Sequence, residues 1–138
     1  MAYLIDTNVL SELRKGAKTN RSVRSWADNH RHIRQCVSVI SLGEIRRGIE
    51  LLRKKAPRRC PAFEQWLSAL HEGYGDDILP INEEVSDCWG KLMAIRTFPA
   101  IDAYLAATAL VYGLTVVTRN TSDFAGTGVG LVNPWEEA

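Results

Sequence analysis

Five short apolar runs, at residues 3–5, 36–40, 77–81, 114–118 and 129–132, are separated by longer stretches in which apolar residues recur every three or four positions. That alternation predicts parallel β-strands joined by helices, an α/β fold. The run at 36–40 is rich in valine and isoleucine and reads firmly as a strand, whereas 77–81 is weaker and 129–132 is the least marked of the five. Helices are predicted over 10–15, 20–30, 42–55, 62–72, 83–95 and 102–112. Within 42–55, Ile45, Ile49 and Leu52 share one side, while Arg46, Arg47, Arg53 and Lys54 lie largely elsewhere, so this helix is expected to be amphipathic. Breaks fall at Lys15-Gly16, Ala56-Pro57 and Gly73-Tyr74-Gly75, and Gly113 stands where a helix C-cap glycine belongs. No internal repeat or low-complexity linker interrupts this pattern.

Composition narrows the picture without deciding it. A chain of 138 residues with 46% hydrophobic and 24% charged positions suits one ordinary domain, 1–138, with a core built by packing rather than by cross-links. A net charge of +1 provides no overall field toward nucleic acid or membranes, so any such binding must be local. Cys36, Cys60 and Cys88 are odd in number, dispersed and outside any Cys-x-x-Cys pair, which argues against a disulfide framework or a zinc site. The N-terminus lacks the basic and apolar regions of an export signal, and no run approaches membrane-spanning length. The expectation is a cytoplasmic protein that does not contact membranes.

The candidate chemistry lies in the acids. In parallel α/β sheets, ligands gather beyond the carboxyl ends of the strands, where strand-to-helix turns place polar side chains. Asp6 directly follows the first strand. Glu44 lies shortly after the second, in the expected first turn of the next helix, and Asp123 follows the turn after the fourth strand. Asp102 opens the helix leading into that fourth strand, so four distant acids can meet at one edge of the sheet. Crowded carboxylates repel one another, and a divalent cation removes that penalty. An all-oxygen donor set favours magnesium or manganese over zinc, and such an ion suits phosphodiester hydrolysis. Each acid also has a plainer reading. Asp6 can cap a helix, Ser41 and Glu44 have the spacing of a capping box, Asp102 can be an N-cap, and Asp123 can be a turn residue. It is the four placements together that point to catalysis.

Four ordered blocks carry a family resemblance: Leu-Ile-Asp-Thr-Asn-Val-Leu-Ser-Glu at 4–12, Ser-Val-Ile-Ser-Leu-Gly-Glu-Ile at 38–45, Ile-Asp-Ala-Tyr-Leu-Ala-Ala-Thr-Ala-Leu at 101–110 and Val-Thr-Arg-Asn-Thr-Ser-Asp-Phe at 117–124. Together with the closing Val-Asn-Pro-Trp at 132–135, they resemble the PIN-domain ribonucleases, in particular the VapC-type, FitB-like toxins of bacterial toxin–antitoxin pairs. The resemblance implies a three-layer α/β/α sandwich with a mainly parallel central sheet and a magnesium- or manganese-dependent endoribonuclease. It implies that Asp6, Asp102, Glu44 and Asp123 are catalytic metal ligands, with Thr7, Thr118 and Asn120 in support. It also implies an RNA substrate, a homodimer and a cognate antitoxin lying across a helical clip at 42–72.

The basic residues of 42–59, Arg46, Arg47 and Arg53 among them, are candidates for contact with RNA phosphates or with an acidic antitoxin. A solvated helix face with a basic C-terminal end explains them equally well. The four tryptophans are expected as core or interface anchors, and the three histidines show no ligand or triad spacing. A haloacid-dehalogenase-type phosphatase also begins with an aspartate after its first strand, but needs a second acid where this chain has Asn8. A flap-nuclease relative would need more length to grip duplex DNA. The alternative from another class is a non-catalytic PIN-like adaptor that binds RNA or protein.

Overall fold

The structure, a computed structural model, describes residues 1–136. Glu137 and Ala138, the last two residues of the expected 1–138 domain, lie outside the described residues. Five strands, β1 (Ala2–Ile5), β2 (Arg34–Ser38), β3 (Ile78–Leu79), β4 (Thr115–Val117) and β5 (Gly130–Val132), form one parallel sheet in the order β3-β2-β1-β4-β5. Six α-helices accompany them: α1 (Thr7–Leu13), α2 (Arg21–Asn29), α3 (Val39–Lys55), α4 (Cys60–Tyr74), α5 (Glu83–Ile95) and α6 (Ala100–Tyr112).

The twofold alternation of side chains along each strand divides the core into two layers. Leu4, Cys36 and Val116 point to one face, where they pack with α5 and α6 through Val85, Leu92, Leu105 and Ala106. Their neighbours Tyr3, Ile5, Val37 and Val117 point to the other, against Val9, Trp26, Ile45, Ile49 and Leu67 of α1 to α4. Both faces are therefore covered, and the expected three-layer sandwich is what the chain builds. Helix α6 has so many buried alanines that it can lie flat and close on the sheet, and it ends at Gly113, whose φ of 69° is the left-handed cap that glycine adopts without strain.

The main departures from the expected boundaries cluster where function is at stake. Strand β2 ends at Ser38 rather than at Ile40, because the Ser38 side chain accepts a hydrogen bond from the Ile40 amide and starts α3 there. Glu44 consequently lies in the second turn of α3, not the first. Ser41 is fully buried inside the helix, so the capping-box reading of Ser41 and Glu44 does not hold. Helix α1 begins at Thr7 instead of residue 10, and α6 begins at Ala100, leaving Asp102 within its first turn rather than at its cap.

Candidate active site

The chain runs from β1 outward through β2 to β3, then returns to place β4 on the other side of β1. That reversal opens a crevice at the carboxyl ends of β1 and β4. Asp6 is the first residue beyond β1, and its amide donates to the Val117 carbonyl at 3.0 Å, which continues the β1–β4 pairing to the edge of the site. Only 5% exposed, Asp6 is held from several sides. Its Oδ1 accepts from the Thr7 amide at 2.7 Å as the cap of α1, and its Oδ2 accepts from the Thr118 hydroxyl at 2.7 Å and from Asn8 Nδ2 at 3.3 Å. The capping role and the site role are thus held by the same carboxylate.

Thr118 is fully buried, and its hydroxyl oxygen also accepts from the Asn120 amide at 3.1 Å. Asn120 therefore supports the site through its backbone. Thr7 uses its hydroxyl to donate to Glu44 Oε1 at 2.7 Å, joining α1 to α3 across 37 positions of sequence. Asn8 was absent from the sequence-derived site. Its Nδ2 reaches both Asp6 and the Thr118 oxygen, the latter at 3.4 Å, and its Oδ1 accepts from the Arg119 amide at 3.3 Å, tying the loop after β4 to the start of α1. Asn8 stands in the Asp-Thr-Asn run that starts α1, and nothing local to it in the sequence marks the distant groups it bonds.

The four acids form one electrostatic cluster. Burial first, then repulsion from Asp6, Asp123 and Glu44, pushes the Asp102 carboxyl up to about 6. Burial likewise raises Asp6 and Glu44; hydrogen bonds from Thr118 and the Thr7 amide offset this at Asp6, and the Thr7 hydroxyl does so at Glu44. Asp123 reaches the cluster from a 3₁₀ turn, Thr121–Phe124, anchored by fully buried Phe124. Asp6, Glu44, Asp102 and Asp123 are brought together as expected. Among the described residues, no three His, Cys, Asp or Glu side chains are already drawn in as a coordination shell. The donors are nonetheless of the all-oxygen kind that suits a hard divalent cation, and their mutual repulsion is the charge such a cation would neutralise.

Comparison with known proteins identifies the family. The PIN-domain family profile matches residues 3–128, nearly the whole chain. The chain belongs to the PIN-domain family. Among curated relatives, this PIN domain is 33% identical to VapC ribonuclease Y4jK of Sinorhizobium fredii, over 98% of this chain and 99% of that protein. It is also 33% identical to Toxin FitB of Neisseria gonorrhoeae, over 97% of this chain and 99% of that one. A solved structure of FitAB bound to a DNA fragment superposes with a TM-score of 0.76 at 32% identity, covering 99% of this chain and 97% of that chain.

Of the basic candidates, Arg46 and Arg53 prove to be engaged within the protein. Arg46 pairs with Glu50 at 3.1 Å and Glu64 at 2.8 Å, and Arg53 pairs with the same two acids at 3.2 and 2.8 Å, in a network that clamps α3 to α4. Arg47 stands outside it, near Glu44. Trp26 is buried, a core anchor as expected, and stacks on His30 with ring centroids 4.7 Å apart. Because Thr7 orients Glu44 rather than reaching the core of the cluster, Thr7→Val is expected to lower the rate of any metal-dependent cleavage by about tenfold with little change in melting temperature. Single-turnover kinetics on the purified variant would check this.

Proposed function

We propose that residues 1–138 act as a single-domain, divalent-metal-dependent endoribonuclease, the toxin of a toxin–antitoxin pair, and that Asp6, Glu44, Asp102 and Asp123 are its catalytic acids. The observation that carries this reading is the convergence of four acids from β1, α3, α6 and the turn after β4 on the crevice where the sheet reverses. The names of the relatives, a ribonuclease and a toxin, support the RNA substrate and the toxin role. The complexes among similar solved structures support a cognate antitoxin. Membership of the same group supports a homodimer. Among the described residues no helix is long and apolar enough to cross a membrane, which agrees with action in the cytoplasm, where RNA is found.

The acids fit magnesium or manganese, held chiefly by Asp6 and Asp102 with Glu44 and Asp123 beside them. Such an ion would activate water and neutralise charge developing on the phosphate. The chain's own residues supply the rest. Thr118 and the Thr7 amide hold Asp6 fixed and offset part of the penalty that burial places on its charge. The Thr7 hydroxyl fixes the Glu44 carboxylate toward the same crevice. Asp102, whose carboxyl is pushed up to about 6 by burial and by its acidic neighbours, is the acid whose ionisation such an ion would favour most.

The test is incubation of the purified protein with a mixed pool of small RNAs in magnesium, in manganese and in chelator. Cleavage is expected with either metal and not with chelator. Absence of cutting in both metals by folded protein free of antitoxin would replace this reading with the non-catalytic adaptor.

A further inference from the structure

The arginines divide into two classes that the sequence does not separate. Arg24, Arg31, Arg34, Arg46 and Arg53 are all ion-paired to carboxylates. Among the described residues, Arg14, Arg47 and Arg119 form no ion pair, although each is next to the acid cluster or to a cavity that opens from it. That cavity, of about 290 Å³, runs between α1, α3 and α4 from Thr7 and Glu44 at one end to Phe63 and Trp66 at the other. At the far end, the Arg14 guanidinium lies over the Phe63 ring, 3.7 Å from its centroid. Arg47 stands beside Glu44.

Arg119 lies on the other side of the site. Its amide is bonded to Asn8, and its guanidinium rests over Trp135, 4.9 Å from the ring centroid. The acid whose field it meets, Glu12, is already satisfied by the Asn20 amide at 2.9 Å and by Lys15 at 3.0 Å. Two of these three cations are therefore held in place by aromatic faces, which fix a guanidinium without neutralising it. A cation held that way keeps its full charge and its hydrogen-bond donors for an external anion.

We propose that Arg14, Arg47 and Arg119 are the phosphate contacts of a single RNA strand that crosses the acid cluster, with Arg14 and Arg47 holding it on the α3–α4 side and Arg119 on the β4 side. This rests on the ribonuclease reading and gives it a direction. A polyanion crossing four carboxylates needs cations on both flanks, and these three are unpaired cations placed there. Arg59, also without an ion pair among the described residues, lies farther from the Phe63 ring, at 5.9 Å, than Arg14 does. Of the three arginines that the sequence offers as candidates, Arg46 and Arg53 are excluded because Glu50 and Glu64 already neutralise them, and Arg47 remains.

The experiment measures binding of a fluorescently labelled 20-nucleotide single-stranded RNA in chelator, across a potassium chloride series, with cleavage in magnesium assayed on the same preparations. Each of Arg14→Gln, Arg47→Gln and Arg119→Gln is expected to weaken binding several-fold, and the triple variant to flatten the log–log salt slope by about 2, since each phosphate contact on a single strand contributes about 0.7. Arg119→Lys, which keeps the charge, should retain the wild-type slope, and Arg46→Gln with Arg53→Gln should leave it unchanged. The proposal is overturned if the triple variant keeps the wild-type slope, if the Arg46 and Arg53 pair proves the larger contributor, or if wild-type protein does not bind the strand. Variants that release poly-glutamate but not RNA would overturn it in favour of an acidic protein partner. Arginine-dependent binding with no cleavage in magnesium would support these contacts while removing the catalytic reading alone.

Discussion

Asp6→Asn is expected to reduce RNA cleavage by well over about 100-fold, beyond what losing a residue that merely orients a metal ligand costs, while leaving the protein folded. The reasoning separates two roles of one side chain. As the cap of α1, Asp6 accepts the Thr7 amide through Oδ1, and asparagine does this equally well. As a member of the cluster, it presents a negative charge in a nearly closed crevice, and asparagine cannot. The amide is close in shape to the carboxylate it replaces, so no core cavity opens. Its Nδ2 now faces the Thr118 hydroxyl and Asn8 Nδ2, which donate to the native Oδ2, and those two hydrogen bonds must rearrange. Removing one of four like charges also relieves repulsion on Asp102, for which Asp6 is the strongest charged neighbour. The melting temperature without metal should therefore stay within a few degrees of the wild type, or rise. Cleavage assays and thermal melts on the same preparation decide the matter. Persistent cleavage would remove Asp6 from the mechanism, and a collapse of the melting temperature would mean that its main task is structural.

Much of this site was legible before any coordinates, for a definite reason. The strands are short apolar runs bounded by polar residues, and in a parallel sheet the residue after a strand is the one presented at the binding edge. Asp6 is therefore readable from a strand end alone, whereas Thr118, which the apolar run at 114–118 places inside the strand, enters only through the family resemblance. The β2–α3 boundary was less legible, because Val39 and Ile40 extend a β-branched run and the local signal for a strand continues past its true end. The Ser38 cap overrides that propensity, which carries Glu44 into the second turn and within 2.7 Å of the Thr7 hydroxyl.

Other features were out of reach because they depend on pairings between distant segments. Nothing in the sequence near Arg46 and Arg53 announces that Glu64, on another helix, will join Glu50 in neutralising them. Nor does the spacing of Asn8 reveal that it will bridge Asp6, Thr118 and the Arg119 amide, since Thr118 is 110 residues away. The sequence specifies which acids are available, and the parallel topology brings them together. The neutral and charged partners around them follow only from packing.

Asp102→Asn carries the second large effect, and its sign depends on pH. The Asp102 carboxyl is pushed up to about 6 in the folded protein by burial and then by its acidic neighbours, while the unfolded chain returns it to the ordinary value of about 3.9. A carboxyl raised in the folded state binds its proton more tightly there. Below pH 4 it is protonated in both states and has no effect on stability. As pH rises from about 4 to 6 the unfolded chain ionises first, so the folded protein is progressively destabilised, and the loss is complete above the folded value. Taken at face value the shift corresponds to about 3 kcal/mol, but Asp102 is partly exposed and solvent screening reduces this to about 1–2 kcal/mol. Asparagine has no proton to lose. The metal-free variant should thus melt about 3–8 °C above the wild type at pH 7.5, a margin that vanishes toward pH 4, even though its cleavage is abolished. Added magnesium should reverse the order by stabilising the wild type alone, because binding to the folded state raises its stability by mass action. Melts of both proteins at pH 4, 6 and 7.5, with and without magnesium, test this. A variant less stable than the wild type at pH 7.5 without metal would show that Asp102 is a structural cap, and that the crowding of the four acids is not what the crevice is built to exploit.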